Sequence, residues 1–210
     1  KCTFAHYQSE KGQTRCSQCK KGKYGTLEEQ ISVTAACLDC TEGRWSDQKG
    51  LSHPSSVSGT ACKPCPKGGY GTEKGSRTSS QCELCPRGTY SDSTAATNSN
   101  TCIACENGKW SKEQGATSDS ICQDCEAGYF NNEEAAMSCV VCIAGKLQPD
   151  AGKSQCELCS RGKFQASAGS TECTTAPTGK YVKGCLGAFL VVANGGLNTK
   201  WEGGTSTEAV

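Results

Sequence analysis

The sequence predicts a small disulfide-rich β protein: an elongated rod of stacked short β-hairpin repeats, joined by a sequential disulfide ladder and ending in a C-terminal β-strand tail. Three observations carry this. Eight C-x-x-C pairs recur in one register along 210 residues, Leu, Ile, Val and Phe together supply only 25 of those residues, and 19 cysteines accompany a net charge of +1. A periodic motif of this length marks a repeat architecture before any residue-level reading.

The pairs are Cys16/Cys19, Cys37/Cys40, Cys62/Cys65, Cys82/Cys85, Cys102/Cys105, Cys122/Cys125, Cys139/Cys142 and Cys156/Cys159. Each is followed after two residues by a glycine: Gly22, Gly43, Gly68, Gly88, Gly108, Gly128, Gly145 or Gly162. Two residues further on stands Tyr24, Trp45, Tyr70, Tyr90, Trp110, Phe130, Leu147 or Phe164. So few large apolar residues cannot offset the roughly 1 to 2 kcal/mol of backbone entropy that each ordered residue costs. A chain this poor in core residues is disordered or cross-linked, and the cysteines argue for cross-links, through sulfur or through metal.

Paired C-x-x-C motifs at this separation also suit zinc. The two ends of the array favour disulfides. Cys2 is followed by Ala5 and Tyr7 in the repeat register, so it is the second half of a pair; Cys173 precedes Ala176, Gly179 and Tyr181, a motif in which Ala176 replaces the second cysteine. Bonding each second cysteine to the next first cysteine explains both singletons. The predicted ladder is Cys2–Cys16, Cys19–Cys37, Cys40–Cys62, Cys65–Cys82, Cys85–Cys102, Cys105–Cys122, Cys125–Cys139, Cys142–Cys156 and Cys159–Cys173. Zinc, or an interleaved disulfide scheme, remains the rival, and each leaves Cys2 and Cys173 without a role. Each closed loop contributes about 3 kcal/mol in the chain-entropy model, and bonds this numerous persist only in an oxidising compartment, so a secreted or extracellular-surface location is expected.

Within a repeat, the glycine is expected at positive φ to reverse the chain, and the aromatic ring to cover the disulfide. The Gly-, Ser- and Thr-rich interval before the next cysteine reads as a loop of variable length. The two residues inside each C-x-x-C read as the only linker between units, and units are expected to touch only their neighbours. The aromatics are expected to be structural plugs, with a sugar-binding row as the alternative.

Acids recur inside the pairs (Asp39, Glu83, Asp124, Glu157) and bases beside the glycines (Lys23, Arg44, Lys67, Arg87, Lys109, Lys146, Lys163, Lys180). The expected reading is a solvated, partly neutralised face, and the alternative a ribbon for acidic polysaccharide. With 22 basic and 21 acidic residues there is no electrostatic footprint for nucleic acid. His6 and His53 occupy unrelated repeat positions, no nucleophile is placed beside them, and no catalytic residue, metal site or cofactor is expected. No N-x-Ser or N-x-Thr sequon occurs, so glycan, if present, is expected O-linked on the loops from Ser52 to Thr60 and Ser91 to Thr101. No run approaches the ~18 apolar residues of a membrane span, and with Lys1 first the chain reads as a mature or internal fragment.

Residues 1–181 are expected to form about nine repeats, and residues 182–210 an apolar tail that begins another domain or serves assembly. Phe189, Leu190, Val191 and Val192 read as a β-strand without a core of its own, available for edge addition. Cys185 has no partner in the ladder and is expected unpaired or intermolecular.

The unit C-x-x-C-P-x-G-x-Y, clearest from Cys62 to Tyr70 and from Cys82 to Tyr90, resembles the ephrin-receptor-like cysteine-rich repeat, which is related to the modules of growth-factor and tumour necrosis factor receptors. The resemblance implies a module without catalytic residues, found in receptor ectodomains and in surface filaments alike. The repeats read as monotonous and polar, which favours an extracellular, non-enzymatic structural protein, a rigid spacer in a surface filament, fibril or coat. Its expected partners are further copies of itself or other surface proteins. The alternative is a ligand-binding receptor ectodomain.

Overall fold

The computed structural model describes residues 1–53, 61–178, 180–183 and 190–193. It divides into two compact units, Lys1–Ile103 with Glu113–Ile121, and Ala104–Lys112 with the chain from Cys122 onward. Among the described residues all nine ladder bonds form, with Cα–Cα distances of 5.4–5.8 Å. The interleaved and zinc schemes are thereby excluded, because eighteen cysteines are already paired. We number the repeats 1 to 9 by the cysteine that opens each: Cys2, Cys19, Cys40, Cys65, Cys85, Cys105, Cys125, Cys142 and Cys159.

Each repeat is a two-residue hairpin stapled by its disulfide. In repeat 3, Arg44–Trp45 pairs antiparallel with Lys63–Pro64; in repeat 6, Lys109–Trp110 pairs with Gln123–Asp124; in repeat 8, Lys146–Leu147 pairs with Glu157–Leu158. The residues inside C-x-x-C, expected as a linker, are therefore the second strand. Their backbone is pulled straight between two anchors. One is the disulfide at the closing cysteine; the other is a hydrogen bond from the next cysteine's N–H to the repeat's glycine carbonyl, as from Cys65 to Gly43, Cys85 to Gly68 and Cys125 to Gly108 at 2.8–2.9 Å. Ala176 keeps this bond, donating to Gly162 at 2.8 Å, so the lost sulfur leaves the backbone plan intact.

The motif glycines take positive φ throughout, from 73° to 85°, and Ala5, which stands in the glycine position of repeat 1, takes φ 60°. The structure adds a second requirement. The Gly68 N–H donates to the Ser91 carbonyl of repeat 5 at 2.8 Å, and a methyl built on Gly68 would overlap the Gly115 carbonyl of repeat 6. In the second unit, Gly108 likewise donates to Asn131 of repeat 7 at 2.7 Å and lies against Gly152 of repeat 8. Repeats thus reach past their neighbours to the unit two steps on, contrary to the nearest-neighbour expectation, because a side-chain-free backbone leaves room for a third layer.

A second positive-φ site lies five residues after each aromatic: Gly12, Glu29, Gly50, Gly75, Ala95, Gly115, Ala135, Gly152 and Gly169. Its N–H donates to the opening cysteine's carbonyl in the preceding repeat, as from Gly75 to Cys40, Ala95 to Cys65 and Gly169 to Cys142 at 2.8–2.9 Å. All variation in repeat length falls after this point. Disulfides spanning 14 residues close directly; those spanning 17 close over a 3₁₀ turn, as at Ser79–Gln81 and Ser99–Thr101. The core is sulfur: Cys19, Cys40, Cys65, Cys85, Cys105, Cys125 and Cys142 are at most 1% exposed.

At the C-terminus, Lys180–Lys183 pairs antiparallel with Leu190–Ala193, setting Tyr181 opposite Val192 and Lys180 opposite Ala193. In repeat 9, Phe164 and Lys163 face Thr174 and Thr175 in the same way. Val192 and Ala193 therefore stand where a further C-x-x-C would supply its strand, and Lys180–Lys183 runs across the expected 181/182 boundary.

Candidate ligand-binding groove

The aromatic positions are half-buried in all nine repeats, so each ring is part plug and part surface. Tyr7 packs on a cluster of Ala5, Cys19, Ala36 and Cys37, covering the disulfide of the next repeat. In repeats 3 and 4 the ring meets, on its outer side, the first residue inside the following C-x-x-C, directly across the hairpin. Lys63 stands over Trp45 with its ammonium 4.7 Å from the ring centre. The Tyr70 hydroxyl donates to Glu83 Oε2 at 2.8 Å, and that hydrogen bond holds the phenol above its ordinary pKa.

The expected charged face resolves into cross-strand pairs. Lys23 meets Asp39 at 2.6 Å and Lys109 meets Asp124 at 2.8 Å, both in directly opposed positions. Arg44 instead donates to the Cys62 carbonyl at 3.1 Å. The sequence reading gave no weight to Asp47, whose hydrogen bond from Lys63 at 2.9 Å holds its carboxyl below the usual range. Arg44, Lys146 and Lys163 face Pro64, Leu158 and Thr175, so this direct opposition of base and acid belongs to repeats 2 and 6.

The second unit carries a groove of about 300 Å³ between the hairpin of repeat 6 and the closing cysteine of repeat 7. Trp110 and Tyr129 line it, with Lys112, Gln123, Asp124 and Glu126 around them. Trp110 is half-buried and lies across the strand pair from Gln123; Tyr129 is 39% exposed. The exposed Lys112 holds its ammonium 5.3 Å from the Trp110 ring centre.

These hairpins, their sequential bonds and the Cys-Pro-x-Gly-x-Tyr units at Cys65 and Cys85 agree with the comparison to known families. The model described as tyrosine-protein kinase ephrin type A/B receptor-like matches residues 55–102, 77–122 and 145–185, just over half of the chain. The chain belongs to this family. No curated protein matches it at a significant level. The match identifies tandem receptor-like cysteine-rich repeats, not a known enzyme family.

Of the remaining sequence-derived sites, Leu190, Val191 and Val192 form the expected strand, and one edge of that strand is taken by Lys180–Lys183 of the same chain. Cys185 and Phe189 lie outside the described residues, as does most of the Ser52 to Thr60 loop. Among the described residues no helix is long and apolar enough to cross a membrane. The sequence reading missed the exposed apolar group of repeat 2, where Leu27, Ile31 and Val33 are 51, 78 and 42% exposed beside the short helix Val33–Ala36. The signal was there: the loop L-E-E-Q-I-S-V carries three large apolar side chains, whereas the corresponding loop of repeat 5, S-T-A-A-T-N-S, carries none.

Proposed function

We propose that the chain is an extracellular, non-enzymatic structural protein, a stiff spacer made of cysteine-rich repeats in a surface filament or coat. One observation carries the reading. Each repeat is tied to the next by backbone hydrogen bonds and lies against the one after that, so within a unit bending at one junction must also strain a second. Stiffness that depends on backbone atoms tolerates sequence drift on the surface. Assembly is assigned to the C-terminal hairpin, because two strands alone are marginal in water and the outer edge of Leu190–Ala193 suits a third strand from another copy or a following domain.

Electron micrographs of the native material should show filaments or a regular coat, and Val191→Lys should abolish them while leaving the ladder oxidised. Monodisperse particles from the native protein, or normal assembly by the variant, would overturn the reading. The receptor alternative is favoured by repeat 2, since an irregular repeat with exposed Ile31 is what a protein-binding ectodomain offers. Specific capture of one soluble protein, lost on Ile31→Asp, would support it.

A further inference from the structure

We propose that the repeat 6–7 groove binds a neutral saccharide, one hexopyranose unit against Trp110. The lining decides the chemistry by elimination. Glu126 and Asp124 stand against an anion, since the lining carries two carboxylates against the single ammonium of Lys112. A cation is repelled by the Lys112 ammonium beside the ring, and Lys109 already neutralises Asp124 at 2.8 Å. A purely apolar ligand would take the Glu126 carboxylate and the Gln123 amide out of water with nothing to bond them. A neutral polyol satisfies every group. Its axial C–H face lies on an aromatic ring, and its hydroxyls both donate to Glu126 and accept from Gln123, which is the mixed demand that carboxylate, amide and half-buried indole make together.

Size and access agree. About 300 Å³ open on one side accommodates one ring with its chain continuing into solvent, the geometry for gripping a polysaccharide side-on. Trp110 is the suited aromatic: Trp45 is closed off by Lys63, which Asp47 holds in place at 2.9 Å, with the Trp45 indole N–H buried and unpartnered, and the Tyr70 hydroxyl is committed to Glu83. Lys112 is exposed and on a flexible stem, so an arriving sugar ring displaces it rather than a packed residue.

The test titrates the oxidised protein with neutral trisaccharides of glucose, mannose and N-acetylglucosamine, and with a sulfated heparin fragment, following the Trp110 indole N–H and, in every variant, the backbone amides of Gln123 and Tyr129. At least one neutral sugar should shift the Trp110 resonance saturably, and Trp110→Ala should weaken binding about tenfold. Glu126→Gln, at an exposed position outside the ladder, should weaken it by a smaller factor and decides the matter if the Trp110 variant fails to oxidise. Three results would each overturn the proposal: no shift with any neutral sugar, a response to the heparin fragment alone, or unchanged affinity in the folded Trp110 variant or in Glu126→Gln.

Discussion

Repeats 5 and 8 share one scaffold and close it differently. In repeat 5 the residue after the aromatic is Ser91, fully buried, and a 3₁₀ turn at Ser99–Thr101 leads into Cys102. In repeat 8 the same position is Gln148, 2% exposed, and no turn follows. The Gln148 amide spans the short loop, accepting from the Asp150 N–H at 3.1 Å and donating to the Gln155 carbonyl at 2.7 Å. Gln165 does the same in repeat 9, bonding Ser167 and Glu172, and Gln8 bonds Glu10 and Arg15 in repeat 1. Every 14-residue loop has Gln or Asn here, whereas the longer ones have Ser or Gly. In the three repeats with Gln a long amide thus replaces a turn of backbone, whereas Asn131 in repeat 7 donates to the Lys109 and Glu133 carbonyls.

The largest expected effect separates the interior of the array from its end. Gly68→Ala combines the left-handed φ with overlap on the Gly115 carbonyl and should cost about 3 kcal/mol or more, unprotecting the Cys85 and Gly115 amides in hydrogen exchange. Gly162→Ala carries only the conformational term, about 1 to 2 kcal/mol, because nothing lies within 4 Å of the added methyl. Equal losses at the two sites would show that the contact two repeats on is immaterial.

Next, Gln148→Ala should destabilise repeat 8 by about 1 to 3 kcal/mol, since it removes a buried amide with two hydrogen bonds. Ser91→Ala should cost less. Transplanting the amide as Ser91→Gln should overpack a repeat already closed by its 3₁₀ turn, and thermal melts of the three variants rank them. Reduction should follow the same division. Cys159 and Cys173 are both half-exposed, whereas Cys65 and Cys82 are at most 7% exposed, so a mild thiol should open the former bond first, as read by timed alkylation and peptide mapping.

The smallest effect is electrostatic. Because the hydrogen bond to Glu83 raises the Tyr70 pKa, its contribution is complete below the ordinary tyrosine value of about 10 and is lost as pH rises through the folded value. Ultraviolet titration should find one tyrosine ionising late, and Glu83→Gln should shift its ionisation towards the usual pH.

The ladder was legible because Cys2, Cys173 and Ala176 break the symmetry of an otherwise ambiguous array, and the first turn because its glycines are nearly invariant in position. The second positive-φ site was hidden. Glu29, Ala95 and Ala135 occupy it alongside six glycines, so its constancy lies in the backbone and not in residue type. The strand role of the C-x-x-C interior was equally hidden, since Lys-Pro, Glu-Leu and Gln-Asp have no common β signature; disulfide and glycine carbonyl impose the extension from outside. Contacts two repeats away leave no mark on sequence beyond the absence of a side chain. The groove was visible only as one aromatic among nine, because Glu126 and Tyr129 come from the next repeat.

The sequential bonds also fix how the chain carries load. A pull along the array need not pass through any loop: from one disulfide the shortest covalent route crosses the two extended residues of C-x-x-C to the next. Each repeat then contributes one S–S crossing of 5.4–5.8 Å between Cα atoms and three Cα steps of about 3.8 Å. Since those two residues are already extended in the folded hairpin, tension finds almost no slack to draw out. The loops hang beside this line like pennants on a taut cord, free to lengthen, to diverge or to hold a ligand without softening it.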